Sequence, residues 1–269
     1  MLKKCSLVTC LICVFMAFTN QNLSAQNFSL GLKAGPNIAI GRFKDSDLRK
    51  QFNAEPVFGF TAGGIILFPL KNRYSFLSEV AYASSGKKLK FNSDEWINTA
   101  RFNFIDFSMA LRKSFPFQLR PDVRSNIFVN IGPKISYWLN AKGNIGAGGD
   151  PTDYDIVFEQ TPDGNLFVNY YNNINRWLFG VDIGVGGDAP ITSKQNVHVE
   201  ARFSLGQTNL GKADSSSTLE ILGFEDDLRM NLKTFTLSAT YTFDFDLRES
   251  KMGKSTKDKV VKKKKQRKR

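Results

Sequence analysis

Beyond residue 25 the chain has no cysteine: Cys5, Cys10 and Cys13 all fall within its first thirteen residues. A mature exported chain of this kind is not a disulfide scaffold, and hydrogen bonding and packing must hold it together. Histidine is nearly absent too. His198 is the single one, and with no cysteine beside it a transition-metal site of the usual type is not expected. No run of eighteen apolar residues follows the first 25, so no helix can span a bilayer. Helical periodicity is scarce. Net charge is also missing from the body. The total of +12 divides into +2 from Lys3 and Lys4 and +10 from 248–269, where twelve Lys/Arg face Glu249 and Asp258, leaving 26–247 neutral.

What is present begins with a secretory signal. Lys3 and Lys4 precede an apolar stretch from Leu7 to Phe18, and Ala25-Gln26 offers a cleavage point after a small residue. The expected organisation is a cleaved signal peptide over 1–25, an all-β body over 26–247, and a disordered basic tail over 248–269. The tail is too poor in apolar residues to fold alone.

The body alternates with a period of two. In "KTFTLSATYTFDFDL" (233–247), Phe235, Leu237, Ala239, Tyr241, Phe243 and Phe245 share one parity, while Thr234, Thr236, Ser238, Thr240, Thr242 and Asp244 share the other. Successive strand residues point to opposite faces, so this strand has one apolar and one polar side. Eight such segments are expected: Phe28–Gly41, Val57–Phe68, Tyr74–Ser85, Ala100–Phe115, Ser125–Leu139, Arg176–Asp188, Asn196–Gln207 and Lys233–Phe245. Their length suits a tilted bilayer crossing of roughly 9–11 residues plus rims better than an ordinary soluble strand. The connections alternate between short (69–73, 116–124, 189–195) and long, polar ones (42–56, 86–99, 140–175, 208–232). That two-beat predicts a closed eight-stranded antiparallel up-and-down transmembrane barrel, with both termini on the short-turn, periplasmic side.

The polar parity is unlike a solvated exterior. It consists mostly of Gly, Ser, Thr, Asn and Ala, with charges that balance: Lys33, Arg112, Lys134 and Arg202 against Glu79, Asp106, Asp182 and Glu200. A narrow eight-stranded interior favours small residues and paired charges. The apolar parity is therefore expected to face lipid, and these eight residues to form an interior charge network that plugs the barrel. Aromatics near strand ends, among them Phe28, Tyr74, Phe115, Tyr137, Trp138, Tyr170, Tyr171, Trp177 and Phe245, are expected at the membrane boundaries.

The stretches "FSLGLKAGPNIA", "SEVAYASSGKK", "FNFIDFSMALRKSF", "IGPKISYWLNA", "RWLFGVDIGVGGDAPI", "ARFSLGQTNL" and "TFTLSATYTF" resemble, in order and spacing, the PorT-like outer-membrane β-barrel family of Bacteroidetes. The resemblance implies an outer-membrane barrel over nearly all of 28–245, with Glu79 and Asp106 where relatives tend to carry strand carboxylates. It also implies a link to type IX secretion and gliding, which is that of the family's founding member. The long segment 140–175 and the basic extension 248–269 depart from the family pattern.

No catalytic set accompanies His198, which lies on the polar parity beside Glu200 and Arg202 and is expected to join an interior hydrogen-bonded network. The chain is not expected to be an enzyme or to carry a cofactor. "GNIGAGGDPTDYD" (143–155) lacks the phosphate-loop GK[ST] ending. Its Asp150, Asp153 and Asp155 alternate as in weak Ca²⁺ sites, but a flexible polar loop is the expectation there. The tail residues Lys262, Lys263, Lys264, Lys265, Arg267, Lys268 and Arg269 would suggest nucleic acid in a cytosolic protein. Behind a signal peptide they point instead to an anionic periplasmic partner: peptidoglycan, lipid phosphate or an acidic protein. The expected function is structural or interactive, through long outer loops and the tail. Alternatives are an accessory part of a secretion machine and a soluble lipocalin-like carrier.

Overall fold

The structure, a computed structural model, describes residues 27–43, 46–91, 96–120, 123–147, 151–158, 168–171, 173–206, 208–212 and 228–246. The expected signal segment and the tail, including Lys262 to Arg269, lie outside them. The described elements are β1 (Asn27–Phe43), a short helix α1 (Ser46–Gln51), β2 (Phe52–Glu55), β3 (Val57–Pro69), β4 (Tyr74–Phe91), β5 (Trp96–Arg120), β6 (Val123–Ala147), β7 (Thr152–Phe158), β8 (Val168–Tyr171), β9 (Trp177–Thr192), β10 (Gln195–Gly206) and β11 (Met230–Asp246).

Eight strands form a closed antiparallel ring in the order β1, β3, β4, β5, β6, β9, β10, β11. Closure comes from β1 against β11, paired from Asn27↔Asp246 to Phe43↔Met230. A closed ring leaves no strand edge, so every ladder group finds a partner where no water is available to satisfy it. Short connections lead from β3 to β4 and from β9 to β10, and the β5–β6 ladder runs to Arg120↔Val123. In the first, Asn72 (φ 58°) and Arg73 (φ 63°) are left-handed, and the Leu70 N–H donates to the Tyr74 carbonyl at 2.7 Å.

The side-chain parity sorts by environment. Leu30, Leu32, Val80, Phe107, Met109, Ile131, Phe179, Val185, Val199, Phe203, Phe235 and Leu237 all lie exposed on the outer surface, Leu32 by 75%. Ser108, Asn130, Ser204, Thr236, Ser238, Thr240 and Thr242 are buried inside. This is the reverse of a lipocalin-like carrier, which is polar outside and hollow within. Aromatic rims frame the outer surface: Phe28 stacks on Phe245 (5.2 Å) at the turn end, and Tyr137 packs on Trp177 (4.8 Å) at the other.

Three features depart from the sequence expectation. First, β5 and β6 run 25 residues each, about 80 Å of strand at 3.3 Å per residue, well beyond a bilayer crossing. Second, 86–91, 96–99, 140–147 and 152–158 are strand rather than polar loop: β4, β5, β6 and β7 continue as a paired sheet, with β2 added on β4 and β8 parallel to β7. Tyr170 and Tyr171 belong to β8, away from the ring. Third, Trp138 is wholly buried rather than at the membrane boundary. It shares the inward parity of Lys134 and Ser136. Between Phe104↔Trp138 and Asn103↔Asn140 the β5–β6 register shifts by one residue. That bulge changes the inward parity from even numbers to odd, so Ala141 and Ile145 are buried above it.

Candidate functional site: the filled lumen

The interior is stacked in layers along the barrel axis. Nearest the tight turns, Ser29 and Asn196 donate to the Asp244 carboxylate (2.5 and 2.9 Å), and Asn126 donates to Asp188 (2.8 Å). These bonds hold two carboxylates at the polar mouth.

Above them Arg112, predicted to be ion-paired, has no carboxylate within salt-bridge distance among the described residues. Its guanidinium lies 3.7 Å over the Phe128 ring, whose edge meets His198. The His198 Nε2 is 2.9 Å from the Thr242 hydroxyl. A desolvated guanidinium over a ring gains about 2 kcal/mol, so an inward Phe128 replaces the expected carboxylate. Sequence reading missed Phe128 because parity was applied only to the polar members of that face.

The central layer has Arg202 as its hub. It contacts Glu79 (2.8 Å), Asp182 (3.4 Å) and Glu200, the last through both Nε and Nη2. Lys33 joins from β1, 3.0 Å from Glu79 and 3.8 Å from Glu200. Ser108 donates to Asp182 (2.9 Å) and Asn130 to Glu200 (3.2 Å). Space for this comes from β9: a Cβ on Gly184 would run into Asn130 Oδ1 and Glu200 Oε1. One step higher, Lys134 is 2.7 Å from Asp106. Seven of the eight charges named from sequence thus meet in ion pairs contributed by β1, β4, β5, β6, β9 and β10, and Arg112 stands apart. Charges removed from water need such partners, and deleting one member leaves another uncompensated at a cost of about 3–5 kcal/mol.

The upper layer is apolar, and nothing in the sequence reading anticipated it. Phe102, Phe104 and Trp138 pack together inside the ring, with Phe102 edge-on to Trp138 at 5.1 Å. Phe43, Leu89, Ile145 and Met230 come from the extended strands, and Tyr154 and Ile156 from β7 fold over the top. Ile174, Leu210 and Leu228 complete the layer through a short ladder above β9–β11, in which Leu210 N–H donates to the Met230 carbonyl (2.8 Å). Inside, the Tyr154 hydroxyl bonds Asn98 at 2.7 Å, so the buried phenol is satisfied. The signal lay in the stretch that reads as loop: Tyr154, Ile156 and Phe158 alternate.

Between the ionic and apolar layers is a cavity of about 50 Å³, bordered by Phe104, Asp106, Lys134, Leu178 and Thr234. Another of about 20 Å³ lies within the charge layer. These admit water-sized guests and no more. Asp153 and Asp155 project from β7, Asp155 lying 3.4 Å from Lys142; Asp150 lies outside the described residues. Among the described residues no group of three or more His, Cys, Asp or Glu could hold a metal.

Beyond the membrane belt, Glu55 on β2 lies 2.6 Å from Lys88. The hydrogen bond and charge of Lys88 hold the Glu55 carboxyl below its ordinary range.

Three solved structures are similar to the chain at a low level. Neisserial surface protein A is 13% identical, with a TM-score of 0.39 over 81% of this chain and 97% of that one. The outer membrane protein OprG of Pseudomonas aeruginosa is 7% identical, with a TM-score of 0.47 over 81% and 95%. Ail, the attachment invasion locus protein of Yersinia pestis, is 8% identical, with a TM-score of 0.34 over 81% and 98%. No curated protein matches the chain. A family model described as an outer membrane protein beta-barrel domain matches residues 21–211, and the chain, an eight-stranded barrel with an apolar exterior, belongs to that outer-membrane family.

Proposed function

We propose that this barrel is a non-conducting, non-enzymatic platform that interacts with other envelope components through its two ends. The observation that carries the reading is the filled lumen: among the described residues an ionic layer and an apolar layer lie in series, with water-sized cavities of about 50 and 20 Å³ between and within them. In this reading the eight interior charges act as a plug that fixes the barrel's shape. His198, hydrogen-bonded to Thr242 with no nucleophile or oxyanion site assembled beside it among the described residues, serves structure. Residues 1–25 are removed on export, and both termini are periplasmic, since β1 begins and β11 ends at the tight-turn mouth. The extended β4–β7 lobe faces outward. The tail 248–269, with Lys262 to Lys265, Arg267, Lys268 and Arg269, reaches an anionic periplasmic partner: peptidoglycan, lipid phosphate or an acidic protein. Each basic residue near an anionic surface contributes about 1 kcal/mol.

A second reading, favoured by the seven ordered stretches that resemble the PorT-like family of Bacteroidetes, is an accessory component of a type IX-like secretion or gliding machine. One experiment addresses both. A photocrosslinker at Asp155 on β7 and another at Lys262 in the tail are activated in cells. Discrete protein or cell-wall adducts support the platform, and adducts with secretion components support the second reading. Adduct-free barrels from both positions, together with ion current through the purified protein, would contradict it.

A further inference from the structure

The ionic layer of the lumen does not balance. Lys33, Lys134 and Arg202 face Glu79, Asp106, Asp182 and Glu200, three cations against four carboxylates. Arg112 does not make up the difference. It lies over Phe128 on the turn side, where the stack also holds Asp188 and Asp244. A buried charge needs a partner of opposite sign, and one negative charge of this layer lacks it. The oxygens left over show where. Asp106 Oδ2 takes Lys134, and Asp182 Oδ2 takes Ser108 and Arg202. The Oδ1 of each has no hydrogen-bond partner among the described residues. Asn37 is a third case: its Nδ2 donates to the Ser84 carbonyl (3.2 Å), and its Oδ1 is unpartnered. All three residues are more than nine-tenths buried, and all three border the cavity of about 20 Å³. Among the described residues no buried donor without a partner borders it.

Three acceptors without a donor, beside an uncompensated negative charge, have the chemistry of a cation site. Ser85, Ser204 and Thr234 border this cavity and the one of about 50 Å³ above it, and they add hydroxyl oxygens. The cations lining the cavity do not fill the role, because each is already held: Lys33 by Glu79 (3.0 Å), Lys134 by Asp106 (2.7 Å) and Arg202 by Glu79 and Glu200. A set of hard oxygens with no sulfur or imidazole suits an alkali or alkaline-earth ion. Charge and size choose between the two. A divalent ion would turn a deficit of one positive charge into an excess of one, and magnesium keeps several waters that a cavity of about 20 Å³ has no room for. A small monovalent ion neutralises the layer and fits the space.

We propose that Asn37, Asp106 and Asp182, with the hydroxyls of Ser204 and Thr234, bind a sodium ion inside the barrel, where it ties β1, β5, β9, β10 and β11 together. The site is independent of which barrel end faces outward. The full chain is refolded into phosphatidylcholine vesicles in choline chloride, and sodium or caesium replaces choline at constant ionic strength. An ion bound only by the folded barrel raises its stability with concentration, so the urea midpoint of the wild type should climb as sodium is added. The larger caesium ion should need at least tenfold more to give the same rise. Asp182→Asn removes the surplus charge and leaves Arg202 two carboxylates; its midpoint should no longer distinguish sodium from choline. Ser204→Ala/Thr234→Val keeps every charge and should weaken the sodium response at least tenfold, which holds the test open if Asp182→Asn fails to fold. Asp188→Asn at the turn-side mouth should respond to sodium as the wild type does. A wild-type midpoint that shifts with pH but not with the identity of the cation would show that a proton meets the surplus charge, and would overturn the proposal. So would a sodium response that Ser204→Ala/Thr234→Val leaves intact, or one that Asp188→Asn abolishes.

Discussion

In the middle of the lumen Arg202 lies against Glu79, Asp182 and Glu200; nearer the long connections Trp138 lies against Phe102, Phe104 and Phe158. Both assemblies fill the lumen of one eight-stranded ring, yet they do so by different physics. The ionic layer is directional: each partner has few acceptable positions, so it fixes which strands stand opposite one another. The apolar layer is non-directional and depends on volume, so it tolerates rearrangement but not loss of bulk. The difference also follows depth. Lipid surrounds the ring at the level of Arg202, whereas the aromatic layer extends into the lobe where water surrounds the strands and a hydrophobic core has its usual driving force.

Perturbing each layer sharpens that comparison. The largest effect is expected for Arg202→Ala, which leaves three carboxylates facing one another: about 3–5 kcal/mol is lost, read from the urea midpoint of the heat-modifiable folded band. Restoring bulk without charge, Arg202→Met, should recover little. Trp138→Ala is expected to cost about 3 kcal/mol or more, and here Trp138→Phe should recover most of it; a failure of Phe to rescue would mean that the upper layer is directional too. Gly184→Ala on β9 should cost about 1–3 kcal/mol by overpacking against Asn130 and Glu200, although the substitution raises strand propensity. Arg112→Met, which removes a cation from above Phe128 without stranding a paired carboxylate, should cost about 2 kcal/mol or less, clearly below Arg202→Ala. The smallest effect belongs to Glu55. Its carboxyl titrates below the ordinary range in the folded protein, so the stabilisation is present above the ordinary carboxylate range and is lost as pH falls through the lowered value. Amide exchange in β2 should quicken on acidification, and Glu55→Gln should remove that dependence.

The barrel was legible because its signal is local. A period of two over Phe235–Phe245, repeated eight times with alternating connection lengths, leaves few other folds, and the same parity assigns Lys33, Glu79, Asp182, Glu200 and Arg202 to one side of the wall. What parity does not encode is the partner across the lumen, and so Arg112 was grouped with carboxylates when it meets Phe128. Nor does parity survive a bulge. The extra residue between Trp138 and Asn140 reverses the pattern, so Ala141 and Ile145 read as outward and the alternation breaks there. The chain beyond it then passes for a loop, although Tyr154, Ile156 and Phe158 keep strand alternation and depend on Trp138, sixteen or more residues away, for their burial.

Ion conductance through the purified barrel in a planar bilayer tests the filled lumen most directly. The wild type should give no steady single-channel current across a wide voltage range, and neither should Arg112→Met, since the apolar layer remains in series. Ohmic openings from the folded wild-type barrel would show that the two layers do not close the lumen and would contradict the account.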